Sequence, residues 1–173
     1  MKDSSGPLTH FLVEDHRRLE KLFQRAVACL GQVDQGVYDH FRAGLLRHIG
    51  MEEKILIPAV QRWTGGEPLP LAAKLRLDHG AIAALLMPTP TAGLIVTLRK
   101  ILDLHNLIEE GPEGLYETCD TLAGDEIEQL LIRLRATPNV SVLPHADTPA
   151  VHSAVRRALD RAGYKYVGDW PSS

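Results

Sequence analysis

The chain has 173 residues and a net charge of −3, from 19 Lys and Arg against 22 Asp and Glu. That suits one compact domain with a tail and argues against a nucleic-acid binder, which would carry a basic face. With 45% hydrophobic and 24% charged residues, the chain can bury a core without disulfide help, and no run of 18 apolar residues offers a membrane span.

Residues 8–30 follow Gly6-Pro7 and stop at Gly31, and Leu8, Leu12, Leu19, Phe23, Val27 and Leu30 recur at threes and fours, the period of an amphipathic helix. Residues 37–63 repeat the pattern with Val37, Phe41, Leu45, Ile49, Leu56 and Val60, and Pro58 is expected to kink or close that helix. Thr64-Gly65-Gly66-Glu67-Pro68 is a loop. A third helix is predicted over 69–87, ended by Pro88-Thr89-Pro90, and a fourth over 92–110, broken by Gly111-Pro112. Residues 113–135 are helical in character with a bend at Gly124, and Pro138 opens a looser tail. There Thr148-Pro149 has the form of an N-cap followed by proline at the first helical position, so a short helix is predicted over 149–162, stopping at Gly163. No strand-pairing signal emerges. The predicted fold is all-α: an up-down four-helix bundle over 8–135 with an internal two-fold repeat, and a C-terminal helical tail over 136–173. The tail helix carries Val151, Val155 and Leu159 beside Arg156, Arg157 and Arg161, and is expected to cap the bundle or, as the alternative, to meet a protein partner or a second copy.

The repeat carries the chemistry. Asp15-His16 in the first helix matches Asp78-His79 in the third, and His48-Ile49-Gly50-Met51-Glu52-Glu53 matches His105-Asn106-Leu107-Ile108-Glu109-Glu110. Both of the latter read H-x-x-x-E-E. On an α-helix, residues i and i+4 share a face, so His48 with Glu52, and His105 with Glu109, can point at one spot. His16 and His79 complete a set of four imidazoles and two carboxylates aimed into the bundle. This nitrogen and oxygen set suits iron, zinc or manganese and not a metal that prefers thiolate. It suits two ions better than one: each takes two His, and both Glu can bridge, so that two negative charges compensate the cations where unpaired charge is costly.

The pattern D-H, H-x-x-x-E-E, D-H, H-x-x-x-E-E on four helices resembles the hemerythrin-like, or HHE cation-binding, family over about residues 8–135. The stretch from His48 through Glu52-Glu53 to Pro58 fits the family's motif closely. The second copy departs from it, with Gly111-Pro112-Glu113-Gly114 after the Glu pair, and the fourth helix is expected to end or bend sooner there. The resemblance implies that His16, His48, Glu52, His79, His105 and Glu109 hold two iron ions in a non-haem di-iron centre, ahead of zinc or manganese. It also implies a small partner: dioxygen, nitric oxide or peroxide. Oxygen-carrying relatives use five histidines. His10 and His40 are the candidates for a fifth, but their spacing from His16 and His48 places them on other faces.

The remaining polar residues receive subordinate expectations. Glu53 and Glu110, about 100° from their neighbours round the helix, are solvated or stand behind the ligands. Asp15 and Asp78 orient an imidazole from a neighbouring helix, with a plain solvated acid as the even alternative. Tyr116 packs in the core, with approach to the site as a donor behind the ligands or a redox buffer as the alternative; Cys29 and Cys119 are buried fillers, and His145 and His152 face solvent. The leading expectation is a di-iron protein that binds or senses dioxygen, nitric oxide or peroxide, or handles iron, in a reducing cytoplasm. The alternatives are an enzyme reducing peroxide or nitric oxide or donating iron for cluster repair, and a structural bundle with zinc or no metal.

Overall fold

The computed structural model describes residues 6–170, and within them every regular element is helical. The elements in chain order are α1 (Pro7–Ala26), α2 (Gln35–Met51), a widened π-helical turn (Glu52–Leu56), α3 (Ile57–Trp63), α4 (Ala72–Leu85), α5 (Ala92–Glu110), α6 (Leu115–Ala123), a 3-10 turn (Gly124–Glu126), α7 (Ile127–Arg135) and α8 (Pro149–Ala162). The chain is thus an all-α helical bundle.

Local chemistry sets the helix ends. Pro7 opens α1, and the next two amides, of Leu8 and Thr9, each donate to a carboxylate oxygen of Asp120 at 2.9 Å, so a residue of α6 caps α1. The side chains of Asp34, Thr91 and Thr148 cap α2, α5 and α8 by accepting from the amides of Val37, Leu94 and Val151. The first helix stops at Ala26, four residues short of the predicted Leu30, which is fully exposed; beyond Ala26 the apolar period finds no core to face. Pro58 neither ends nor breaks the second segment. It has no amide hydrogen to give to an upstream carbonyl, and the π-helical turn just before it absorbs that defect, so the helix runs on to Trp63. At Gly124 the expected bend is a 3-10 turn with the glycine at φ +51°, a backbone region that a side chain disfavours.

The core forms two apolar clusters with a polar layer between them. One gathers Phe23, Phe41, Ile82, Leu85, Leu98 and Ile101 with Val155 and Leu159 of α8, and the other gathers Leu8, Leu12, Met51, Leu56, Leu75 and Leu115 with Leu130 and Leu134 of α7. The helix period explains the layer. On α1, His16 lies between Leu12 of the second cluster and Leu19 of the first. His48 lies between Leu45 and Met51 on α2, and His79 between Leu75 and Ile82 on α4. Each imidazole therefore stays on the buried face of its helix while the apolar residue types change ends.

The tail folds back on the same chain, since Val155, Ala158, Leu159 and Ala162 of α8 are buried in the first cluster. His152, expected in solvent, is buried, with its ring edge-on to Trp170 at 5.8 Å between centroids; it lies on the inner face of α8, three residues before Val155. Cys119 is buried as expected, but Cys29 is exposed because it lies past the end of α1. No helix of the described residues is long and apolar enough to cross a membrane.

Candidate metal centre

The six side chains named from the repeat converge in the polar layer. His16, His48, His79 and His105 are 1–5% exposed, and Glu52 and Glu109 are completely buried. They form two groups of four donors, each group with its ligand atoms within 4.8 Å of one another: His16, His48, Glu52 and Glu109 in one, and His79, His105, Glu52 and Glu109 in the other. The two carboxylates belong to both. Glu52 Oε1 lies 3.2 Å from His48 Nε2 and Glu52 Oε2 lies 3.1 Å from His79 Nε2. Glu109 Oε2 lies 3.4 Å from His16 Nε2, and Glu109 Oε1 lies 2.9 Å from His105 Nε2. Each carboxylate thus offers one oxygen to each side.

Behind every imidazole stands a carboxylate, and against every such carboxylate stands a cation. His48 Nδ1 donates to Asp15 at 2.8 Å, and Arg18 donates to the same Asp15. His16 Nδ1 donates to Glu110 at 2.6 Å, which also accepts from Arg17. His79 Nδ1 donates to Glu53 at 2.7 Å, beside Arg76. His105 Nδ1 reaches Asp78 at 3.4 Å, and Asp78 accepts from Lys74 at 2.6 Å. A charged carboxylate only accepts, so each Nδ1 carries a hydrogen, which leaves each Nε2 as the nitrogen that would give its lone pair to a cation once its own proton is displaced. This arrangement fixes ring orientation and raises basicity, as in known His-metal sites. Both acids flanking the motif are explained by it: Asp15 and Asp78 brace the His of the next helix, while Glu53 and Glu110 brace the lone His of the opposite half. Two of the four cations stand at helical spacing from their acids, Arg18 three residues after Asp15 and Lys74 four before Asp78, a signal the sequence reading left unused; Arg17 and Arg76 reach across helices, where spacing gives none.

The electrostatics follow from burial. For His48, burial opposes the charged form, but the Glu52 charge, the hydrogen bond to Asp15 and the Glu109 charge outweigh it and lift the pKa to about 10. The same opposition is overcome at His79, which its carboxylate neighbours lift to about 11, and at His105, which Glu109 and Asp78 lift to about 9. Burial and the nearby Glu109 charge push Glu52 up, yet the surrounding imidazoles, His48 foremost, bring it down to about 2. Glu109 is held well below the usual carboxylate range by His105, His16 and His79 against the same burial. Without a metal, protons on the imidazoles neutralise two buried carboxylates; a cation would do the same in their place.

Tyr116 follows the second of its two sequence expectations, approach to the site. It is buried with its hydroxyl inside the first group, 2.6 Å from Glu52 Oε1, 3.1 Å from Glu109 Oε2, 3.0 Å from His16 Nε2 and 3.1 Å from His48 Nε2. Helical period gave no signal for it, because α5 ends at Glu110 and the chain turns before α6 begins at Leu115. His10 and His40 are exposed and remote from both groups, so neither supplies a fifth imidazole.

The donor chemistry fits a metal. Glu52 Oε2, Glu109 Oε1 and His79 Nε2 are buried with no hydrogen-bond partner, although His79 Nε2 lies within 3.1 and 3.6 Å of the two oxygens. Buried polar atoms left unmatched are expensive, and here they are close to one another yet aimed at a shared point. A family model described as hemerythrin HHE cation binding domain matches residues 8–122, from the start of α1 almost to the end of α6. No curated protein and no solved structure matches the chain.

Proposed function

The chain belongs to the hemerythrin family of HHE cation-binding domains, and from that premise we propose that it holds two iron ions and binds a small oxidant or diatomic molecule at them: dioxygen, nitric oxide or peroxide. The carrying observation is that Glu52 and Glu109 each give one oxygen to each of two four-donor groups. His16 and His48 would serve one ion, His79 and His105 the other, and the shared carboxylates both. A duplicated helical hairpin, α1 with α2 and α4 with α5, accounts for the pairing, as an up-down bundle over 8–135 closed by the tail of 136–173.

Iron in such a set supplies reversible electron exchange with small ligands. The residues of the chain do the rest. Nδ1 braces from Asp15, Glu110, Glu53 and Asp78 hold the rings in place. The apolar clusters on either side keep the six side chains at 5% exposure or less and so shield them from bulk water. That enclosure supports a diatomic or peroxide partner in preference to an organic one.

Metal analysis of freshly purified protein together with its absorption spectrum tests the proposal. The expected result is about two irons per chain and the near-ultraviolet absorption of an oxidised carboxylate-bridged pair. Zinc alone, or a chain that takes up no metal at all, overturns it. Steady turnover of peroxide or nitric oxide by the loaded protein would make it an enzyme; a spectral change on binding without turnover would make it a sensor or store.

A further inference from the structure

We propose that the Tyr116 oxygen is a fifth protein donor to the ion held by His16, His48, Glu52 and Glu109, so that the two metal positions differ in kind. This inference rests on the di-iron proposal above. Donors held at right angles on one ion, with bonds of about 2.1 Å, stand about 3 Å apart. The hydroxyl lies between 2.6 and 3.1 Å from all four donors of the first group. Neighbouring donors of that group show the same spacing, 3.2 Å between His48 Nε2 and Glu52 Oε1 and 3.4 Å between His16 Nε2 and Glu109 Oε2. The hydroxyl is thus as near to each donor of the set as these neighbouring donors are to one another.

Among the described residues the second group, His79, His105, Glu52 and Glu109, has no hydroxyl hydrogen-bonded to its inward atoms Glu52 Oε2, Glu109 Oε1 and His79 Nε2. At the matching step of the first repeat, seven residues after Glu52, the chain has Ala59, which offers no donor. The departure from the motif after Glu110 is what brings Tyr116 in. Helix α5 ends there, and Gly114 passes so close to the carbonyls of Ile108, Glu109 and Gly111 that a Cβ would sit 2.5–2.7 Å from them. The chain thus turns sharply into α6 and delivers the ring. On binding, the phenol O–H breaks, the oxygen bonds to the ion as phenolate, and the proton leaves to solvent, as when other metal ligands deprotonate. The first position is then filled by five protein donors, and the second by four, so the incoming small molecule binds at the second.

The test is the visible spectrum of the ferric protein and of Tyr116→Phe, each loaded with iron and assayed for iron content. Phenolate bound to ferric iron gives an intense charge-transfer band in the visible, and excitation into it enhances tyrosinate ring vibrations in the Raman spectrum. The expected result is that band in the wild-type protein and its loss in Tyr116→Phe, with two irons per chain retained in both. Two irons per chain without the band, or a band that survives in the Phe variant, overturns the Tyr116 assignment and leaves the di-iron proposal standing. Failure of the wild-type protein to take up iron overturns both. Should Tyr116→Phe not fold, the Raman signature of the wild-type protein alone decides, since its absence rules out a bound phenolate.

Discussion

His16 and His48 meet under the hydroxyl of Tyr116, on helices whose outward braces, Asp15 and Glu110, are paired with the surface arginines Arg18 and Arg17. His79 and His105 meet with no such cap, and one of their braces, Asp78, is completely buried and tied through Lys74 to the carbonyl of Ala162 and the hydroxyl of Tyr164 at the end of α8. The two halves share their ligand chemistry to the residue type and diverge outside it. One is finished by α6 and the other by the tail. On the duplicated-hairpin proposal, a metal would constrain its own donors and so keep them common, and would leave the surroundings free to be completed by whatever the chain supplies next.

The shared carboxylates give the sharpest way to break that comparison, because they belong to neither half. Glu52→Ala is expected to empty both positions, taking iron from about two per chain to near zero. It also strands the buried His48 without its main counter-charge and leaves His79 with Glu109 and Glu53 alone, at a cost of about 3–5 kcal/mol for breaking a buried pair. Iron analysis and urea unfolding of the metal-free protein check the two parts separately. His48→Ala and His105→Ala are expected to remove one ion each, from opposite halves. Equal loss of both ions from either variant would mean that the positions load only as a unit.

Proton competition comes next in size. The folded values of His48, His79 and His105, about 10, 11 and 9, lie above the ordinary imidazole value of 6.5. Stability from these raised groups is complete below about pH 6.5 and is lost as pH rises through their folded values, about 9 to 11. Glu52 is lowered to about 2 from 4.5, so its contribution is present above about pH 4.5 and lost on acidification toward pH 2. The metal-free protein is therefore expected to melt highest between these limits and progressively lower on the alkaline side. The iron-loaded protein should lack that alkaline fall, because binding replaces the protons and is favoured as they leave. Melting curves across pH, with and without chelator, make the check.

The fold and the inner donors were legible for one reason: helical period. Apolar residues at threes and fours placed the helices, and the H-x-x-x-E spacing put Glu52 below His48 and Glu109 below His105 on a buried face. What period cannot reach was misread or missed. Tyr116 arrives across a turn from α6, Lys74 reaches the tail, and Arg17 and Arg76 lie against acids of other helices. Pro58 was expected to kink or close the helix because the one-turn widening that absorbs it leaves no mark in composition. His152 was placed in solvent although its position three residues before Val155 and seven before Leu159 puts it on the face of α8 expected to cap the bundle.

The outermost braces make the smallest and most discriminating comparison. Lys74 donates to a completely buried Asp78 at 2.6 Å and to Ala162 O at 2.9 Å. Arg18 meets an Asp15 that keeps 11% of its side chain in water and is itself about half exposed. Removing a partner behind a ligating His costs about 10–100-fold in metal affinity. Lys74→Met is expected near the lower end of that range, for the ion of His79 and His105 alone, since Asp78 has no water to fall back on. Arg18→Met should cost far less at the other ion, because an exposed pair contributes only about 0.2–1 kcal/mol and water can replace it. Titrating each variant with ferrous iron against a competing chelator, at low and high salt, separates the two. The Lys74 effect should persist in salt while the Arg18 effect fades. Equal effects would mean that the tail does not stiffen its half of the site, and that the divergence outside the ligands has no consequence for the metal.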